Sequence, residues 1–251
     1  MKRKKAVKYF DKEWNAMKKC LKSYWKNEDQ HDLHKFRIQV KKLRAFLTMS
    51  EHSRDHSKLL AYFKPVKKIF KCAGELRNSH IKQLLSQTEQ PAENAVRNFH
   101  SQKGKFRKYI KKTYPRLVSK IKSIKNAAIK KFYESQLRLI ADSFLMLNSD
   151  EQLHEYRKRI KVLLYNNKLV HNLLPFHLNT EYLDQLQETI GKWHDQLLAL
   201  PDTNMDTSAI STMNKEQLKL KAEIDQLTEN FYQRSTSQKT AFLRIKSNVL
   251  I

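Results

Sequence analysis

His34, Arg37 and Lys41 stand three and four residues apart, and His154, Arg157 and Lys161 repeat that spacing 120 residues later. Each set places an imidazole, a guanidinium and an ammonium on successive turns of a helix. Groups of this kind hold oxyanions. Arginine acts as a planar two-pronged donor, lysine as a point charge and histidine as a donor once protonated. The same stretches lack the parts that chemistry on a phosphate needs. The sequence holds no glycine-rich phosphate loop, and no paired carboxylates accompany the basic residues. Phosphoryl transfer ordinarily uses carboxylates to hold a metal. A binding protein is therefore expected, not an enzyme, with no catalytic residues and no cofactor.

The residues between the charges set the geometry. On a helical wheel with His34 at zero, Arg37, Lys41 and Arg44 fall at about 300°, 340° and 280°. Leu33, Phe36, Val40, Leu43 and Leu47 fall between about 180° and 260° on the same wheel. The basic stripe thus borders the apolar stripe, where a merely solvated helix would carry its charges on the far side. Lys42 sits apart at about 80°, a position that also suits an ordinary solvated residue. In the second copy Leu153, Tyr156, Ile160 and Leu163 form the apolar stripe, and Lys168 continues the basic one. Leu164 stands where the first copy has Arg44, and Tyr165 follows it.

A second pair of matched stretches supports an internal repeat. "CAGELRNS", residues 72–79, aligns with "TIGKWHDQ", residues 189–196, at an offset of 117. Gly74 matches Gly191, Arg77 matches His194 and Asn78 matches Asp195. Glycine inside a helix costs about 1 kcal/mol relative to alanine. Both glycines therefore suggest a close approach to a neighbouring helix. Arg77 and His194 lie on the inward stripes of their helices, where a charge needs a partner or a wet cavity. They could equally be structural groups bonded to Asn78, Asp195 or backbone carbonyls.

Helices must position all of these groups. The chain has 251 residues with only three Gly and five Pro, which favours an all-α protein. Apolar spacing predicts helices over about 3–26 and 31–55, the second capped by Asp29 or Asp32. A third runs from at or before Pro65 to about Leu85. A fourth starts near Pro91 and runs to about Thr113, and Pro115 separates it from a fifth over about 116–147. The sixth, capped by Asn148 or Ser149, ends before Pro175. The seventh starts at Asn179 or Thr180. Residues 201–212 read as loop, and the last helix covers about 213–247. Eight helices in two similar halves, about 1–115 and 116–251, suggest two tandem four-helix bundles. Packed about a pseudo-twofold axis, they would turn both basic stripes toward one central groove.

Charge narrows the partner. Fifty Lys and Arg against 25 Asp and Glu give a net charge of +25. Such an excess repels itself unless something negative offsets it, which points to a polyanion. Residues 94–133 carry thirteen Lys and Arg and no acid. Most of these are expected to be solvated residues that add to the attractive field. Two cysteines, Cys20 and Cys72, without metal-like spacing suggest a reducing compartment. The start, "MKRKKAVKYF", does not read as a secretory signal, and no stretch approaches a membrane span. A cytoplasmic protein without membrane attachment is expected.

The stretch "LHKFRIQVKKLR", its counterpart "LHEYRKRIKVLLY", and the elements "GELRN" and "GKWHD" together resemble the CHAD domain, the conserved-histidine α-helical domain, over essentially the whole chain. The resemblance implies two four-helix bundles about a pseudo-twofold axis and binding of inorganic polyphosphate along a basic central surface. Carried over residue by residue, the ligands would be His34, Arg37, Lys41, Lys42 and Arg44 from the first element. Arg77 would join them from the adjoining helix, with His154, Arg157, Lys161, Tyr165 and His194 from the second half. The sequence departs from the family's pattern at Asn78, Val162 and Leu164, so the second half is expected to bind more weakly. Nothing resembles the catalytic domain that often accompanies this one, so a stand-alone domain is expected, with polyphosphate granules as a wider partner.

Two other readings compete. A nucleic-acid binder fits the charge, but single-strand binders add aromatic stacking platforms and duplex readers add a reading element, and the sequence shows neither. Most aromatics fall on core stripes. A metal site has weak support from His31 with His34, and from His52 and His56 beside Glu51 and Asp55. The first pair lies among cations that would repel a metal, and the second reads as an exposed polar helix end.

Overall fold

The structure, a computed structural model, describes residues 1–53, 58–86, 90–144, 150–199 and 207–238. Among these, ten α-helices and one two-stranded ladder occur, so the protein is all-α. Two compact units divide the chain, Met1–Tyr133 and Glu134–Ile251.

In the first unit, α1 (Arg3–Asn27) buries one unbroken stripe of Ala6, Phe10, Trp14, Met17, Leu21 and Tyr24. It stops at Glu28, whose φ of 55° turns the chain, and Asp29 caps α2 (Gln30–His52) by accepting from the His31 amide. α2 buries its predicted stripe and also Ala45, Phe46, Met49 and Ser50, because it packs on α1 on one side and α3 on the other. α3 (Leu59–Ser86) contains Pro65; Phe63, Val66 and Ile69 around it are buried. α4 (Gln90–Ser101) and α5 (Lys103–Lys120) follow, packed on α3.

Two boundaries differ from the sequence reading. The expected helix to Thr113 breaks at Gln102, and α5 then runs through Pro115 instead of ending there. A mid-helix proline loses one backbone bond and usually bends a helix. Here burial of Ile110, Thr113 and Leu117, and the stacking of Tyr114 on Phe10, outweigh that loss. Residues 121–125 are then non-helical and tied to the start of α1. The Ile124 amide donates to the Met1 carbonyl, and Arg3 donates to the carbonyls of Ile121 and Val118. α6 (Asn126–Phe144) therefore starts ten residues after the expected position 116. These ties hold residues 116–133 in the first unit, so the division falls inside α6 and not near residue 115.

The second unit contains α7 (Asp150–Val170), a single 3-10 turn, β1 (Phe176–Leu178), α8 (Thr180–Ala199), α9 (Thr207–Thr228), α10 (Phe231–Ser235) and β2 (Thr236–Gln238). Asn179 caps α8, accepting from the Tyr182 amide at 3.2 Å. The proposed caps Asn148 and Ser149 lie outside the described residues. α9 begins within the expected loop, at Thr207, and the long last helix stops at Thr228. Asn230 takes a φ of 52° and reverses the chain, which seats Phe231 against Phe144 and Tyr182. That reversal brings β2 antiparallel to β1, pairing His177 with Ser237. Among the described residues, no helix is long and apolar enough to cross a membrane.

Candidate anion-binding faces

Each unit contains one pair of helices that presents the sequence motif, α2 with α3 and α7 with α8. The apolar stripes seat these pairs. Leu33, Phe36, Leu43 and Leu47 are fully buried on α2, as are Ile160 and Leu163 on α7. With those stripes inward, the bordering basic residues sit at the seam with the next helix.

The seam is built the same way twice. Arg37 crosses from α2 to α3, donates from Nη1 to the carbonyl of Phe70 at 2.8 Å and lies over the Phe70 ring at 4.2 Å. Arg157 crosses from α7 to α8 and donates from Nε to the carbonyl of Gln187 at 2.9 Å. Phe70 stands four residues before Gly74, and Gln187 four before Gly191. The glycines are what admit the arginines. A Cβ on Gly74 would overlap Nη1 of Arg37, and a Cβ on Gly191 would lie 2.8 Å from Cζ of Arg157. The predicted close approach is thus an arginine head against bare helix backbone.

Around these arginines the other motif residues gather. Arg77 is exposed on α3, not inward as its stripe suggested; it acts on both His34 and Arg37 and disfavours their charged forms. Its counterpart His194 packs on His154, with ring centroids 4.3 Å apart. Nδ1 of His154 is buried and has no hydrogen-bond partner among the described residues. Lys41 is exposed and Lys161 half-buried. Burial lowers the Lys161 pKa, and Arg157 adds to that; Asp184, Glu188 and Asp195 on α8 oppose it. Tyr165 is half-buried, and burial pushes its phenol pKa up. Arg44 is exposed. Lys42 points elsewhere: its Nζ lies 4.0 Å from Glu13 on α1, in keeping with its separate place on the wheel.

Burial is the main cause that holds the pKa of His34 below the usual value, followed by Arg77, Lys41, His31 and Arg37. For His154 the order is burial, Lys158, His194 and Arg157, with Glu155 opposing. The folded chain therefore binds fewer protons at these sites than the unfolded chain does. Stability from them is present above the unfolded value of about 6.5 and declines as pH falls through it. Thermal unfolding is expected at a lower temperature at pH 5.5 than at pH 7.5, and the H34Q/H154Q double variant should narrow that difference. An equal drop in both chains would assign the acid sensitivity elsewhere. A bound polyanion reverses the sign by favouring the protonated rings. Any strengthening of binding with acid then continues below ~6.5, the value of an ordinary histidine, because the unliganded rings titrate lower.

The sequence missed one further basic surface. α1 and α5 leave a cleft of about 760 Å³ lined by Trp25, Tyr114, Lys18, Lys22, Arg107 and Lys111, among others. Lys103 and Arg107 lie over the Trp25 ring at 5.6 and 5.7 Å. The available signal was Trp25 itself, a large aromatic one residue off the stripe that ends in Tyr24. Of the proposed metal ligands, His52 packs edge-on against Phe132, and His56 lies outside the described residues. No group of three or more metal-ligating side chains occurs among the described residues.

An all-α chain whose helix pairs each seat an arginine on a glycine, with histidines and lysines alongside, is a fold of a particular class. The structure is similar to the crystal structure of the CHAD domain from the plant Ricinus communis. The TM-score is 0.64 at 12% identity, covering 92% of this chain and 91% of that one. The fold is that of a CHAD domain. No family model matches the sequence, and no curated protein matches it.

Proposed function

We propose that this protein is a binding module for inorganic polyphosphate, held by the basic faces of α2–α3 and α7–α8. The observation that carries the reading is the doubled arginine–glycine seam, which presents His34, Arg37, Lys41 and Arg77, and again His154, Arg157, Lys161 and His194, as ordered cationic rows. A linear phosphate polymer offers charge and acceptor oxygens without bases, so it needs such rows and no stacking platform. The finer arrangement belongs to the proposal too: two four-helix bundles about a pseudo-twofold axis with a shared basic groove. So do a cytoplasmic location, in keeping with the free thiols of Cys20 and Cys72, and a role without catalysis.

The test is binding of labelled polyphosphate by the chain and its variants. Joint replacement of Arg37, Lys41 and Arg157 by alanine is expected to abolish binding and leave the helical circular dichroism in place. Because Arg37 and Arg157 also bond the adjoining helix, K41A/R77A serves as a second variant whose side chains are exposed. Unchanged affinity in both would sink the proposal. So would release of phosphate from polyphosphate with magnesium present, which would make the protein an enzyme.

The second reading, RNA binding, has the α1–α5 cleft in its favour, because aromatic side chains among cations suit single strands. Competition decides between them. RNA that displaces polyphosphate at equal phosphate concentration would favour the nucleic acid.

A further inference from the structure

The two faces share one register, yet their flanks carry opposite charge. Arg37 reaches the carbonyl four residues before Gly74, and Arg157 the carbonyl four residues before Gly191. This match fixes which residue of α3 corresponds to which residue of α8. Lys67 takes the place of Asp184, Lys71 that of Glu188 and Asn78 that of Asp195. One turn earlier, Lys64 takes the place of Glu181. All eight side chains are exposed. Measured from the glycine, the first three pairs fall at about 20°, 60° and 40° on the wheel, one flank of the helix. The opposite exchange, Glu75 for Lys192, lies further round, at about 100°.

In the second unit this flank faces the motif. Asp184, Glu188 and Asp195 all act on Lys161 of α7 and favour its charge. In the first unit the groups acting on His34 are Arg77, Lys41, His31 and Arg37, every one of them basic, whereas at its match His154 an acid, Glu155, opposes the basic groups. A phosphate chain laid on α2–α3 therefore meets lysines on the flank. On α7–α8 it meets three carboxylates that partly offset the lysine and repel the incoming oxygens.

We infer that polyphosphate is held chiefly on the α2–α3 face, which Lys67 and Lys71 extend, and that Asp184, Glu188 and Asp195 weaken the α7–α8 face from within. This rests on the polyphosphate reading above. It assigns to α3 two phosphate ligands outside the repeated motif, and it names the residues that weaken the second face. The acids are also the lever for changing it, since reversing them would bring the weaker face closer to the first.

Anisotropy of labelled inorganic polyphosphate at fixed salt tests this, with charge reversals at exposed positions only. Lys67→Asp with Lys71→Glu is expected to weaken binding by on the order of 30-fold, and Asp184→Lys with Glu188→Lys to tighten it about tenfold. Lys41→Ala should cost several times more affinity than its match Lys161→Ala. Equal losses from those two single variants, or no gain on reversing the acids, overturns the asymmetry. A wild-type chain without affinity for polyphosphate overturns the function proposed above instead. Circular dichroism of each variant separates loss of binding from loss of fold. For a charge-reversal variant that fails to fold, Lys67→Ala with Lys71→Ala gives the same comparison, and unchanged affinity there counts against the inference.

Discussion

Leucine at Gly74 or Gly191 is expected to unseat the arginine that the glycine faces and to destabilise the protein by about 2–4 kcal/mol. The direction is opposite to the usual one. Alanine inside a helix normally gains about 1 kcal/mol over glycine. At Gly74 an added Cβ overlaps Nη1 of Arg37 and comes within 3.3 Å of Cζ. At Gly191 it comes 2.8 Å from Cζ and 2.9 Å from Nε of Arg157. The guanidinium must leave, and with it goes a charge-assisted bond to the carbonyl of Phe70 or Gln187, about 1.5–3 kcal/mol. Alanine should therefore be neutral to mildly destabilising, and leucine worse, because a larger group overfills a packed seam. The effect should be larger at Gly191, where Nε is close to the backbone and cannot swing aside as a guanidinium tip can. Gly104 supplies the control. A Cβ there meets nothing within 4 Å, so alanine in this first turn should be neutral to stabilising, by up to about 1 kcal/mol. Denaturant unfolding of these variants checks the ordering. Gly74→Ala matching Gly104→Ala would show that Arg37 needs no seat.

The arginine–glycine couple also shows what the sequence reveals and what it hides. Helical periodicity exposes the stripes directly, since Leu33, Phe36, Val40, Leu43 and Leu47 are all buried. The two repeats were visible as separate alignments, at offsets of 120 and 117. Their contact was not, because no one-dimensional pattern says that Arg37 of one helix rests on Gly74 of the next. Pro115 misled for a related reason. The local rule ends a helix at proline, and the compensation comes from α1, a hundred residues earlier in the chain, through Tyr114 with Phe10 and with the carboxylate of Asp11. The β1–β2 ladder was hidden likewise. It depends on the reversal at Asn230, which lies inside what reads as continuous helix. Lys42 is the converse case. The wheel separated it from the stripe, while family resemblance grouped it with the ligands, and its approach to Glu13 follows the wheel. The charge inversion between α3 and α8 was written in the sequence throughout. It became meaningful only once the two seams fixed the register.

Polyphosphate affinity is expected to fall by about two and a half orders of magnitude between 50 and 200 mM monovalent salt. The argument is one of counterion release. A linear polyanion carries condensed cations, and each phosphate neutralised by a fixed lysine or arginine frees a share of them, about 0.7 per contact for single-stranded chains. The α2–α3 face offers Arg37, Lys41, Lys67, Lys71 and Arg77, with Arg44 beyond. About six contacts would give a log–log slope near −4, hence roughly 300-fold across that range. The slope also counts contacts face by face. Replacing Lys67 and Lys71 by alanine should make it shallower by roughly 1.5, since two contacts vanish. Lys161→Ala should change it less than loss of a lysine on α3 does, because Asp184, Glu188 and Asp195 partly offset that charge. A wild-type slope shallower than about −2 would mean that few cations touch the polymer. The ordered rows would then be a consequence of helix packing, not a binding surface.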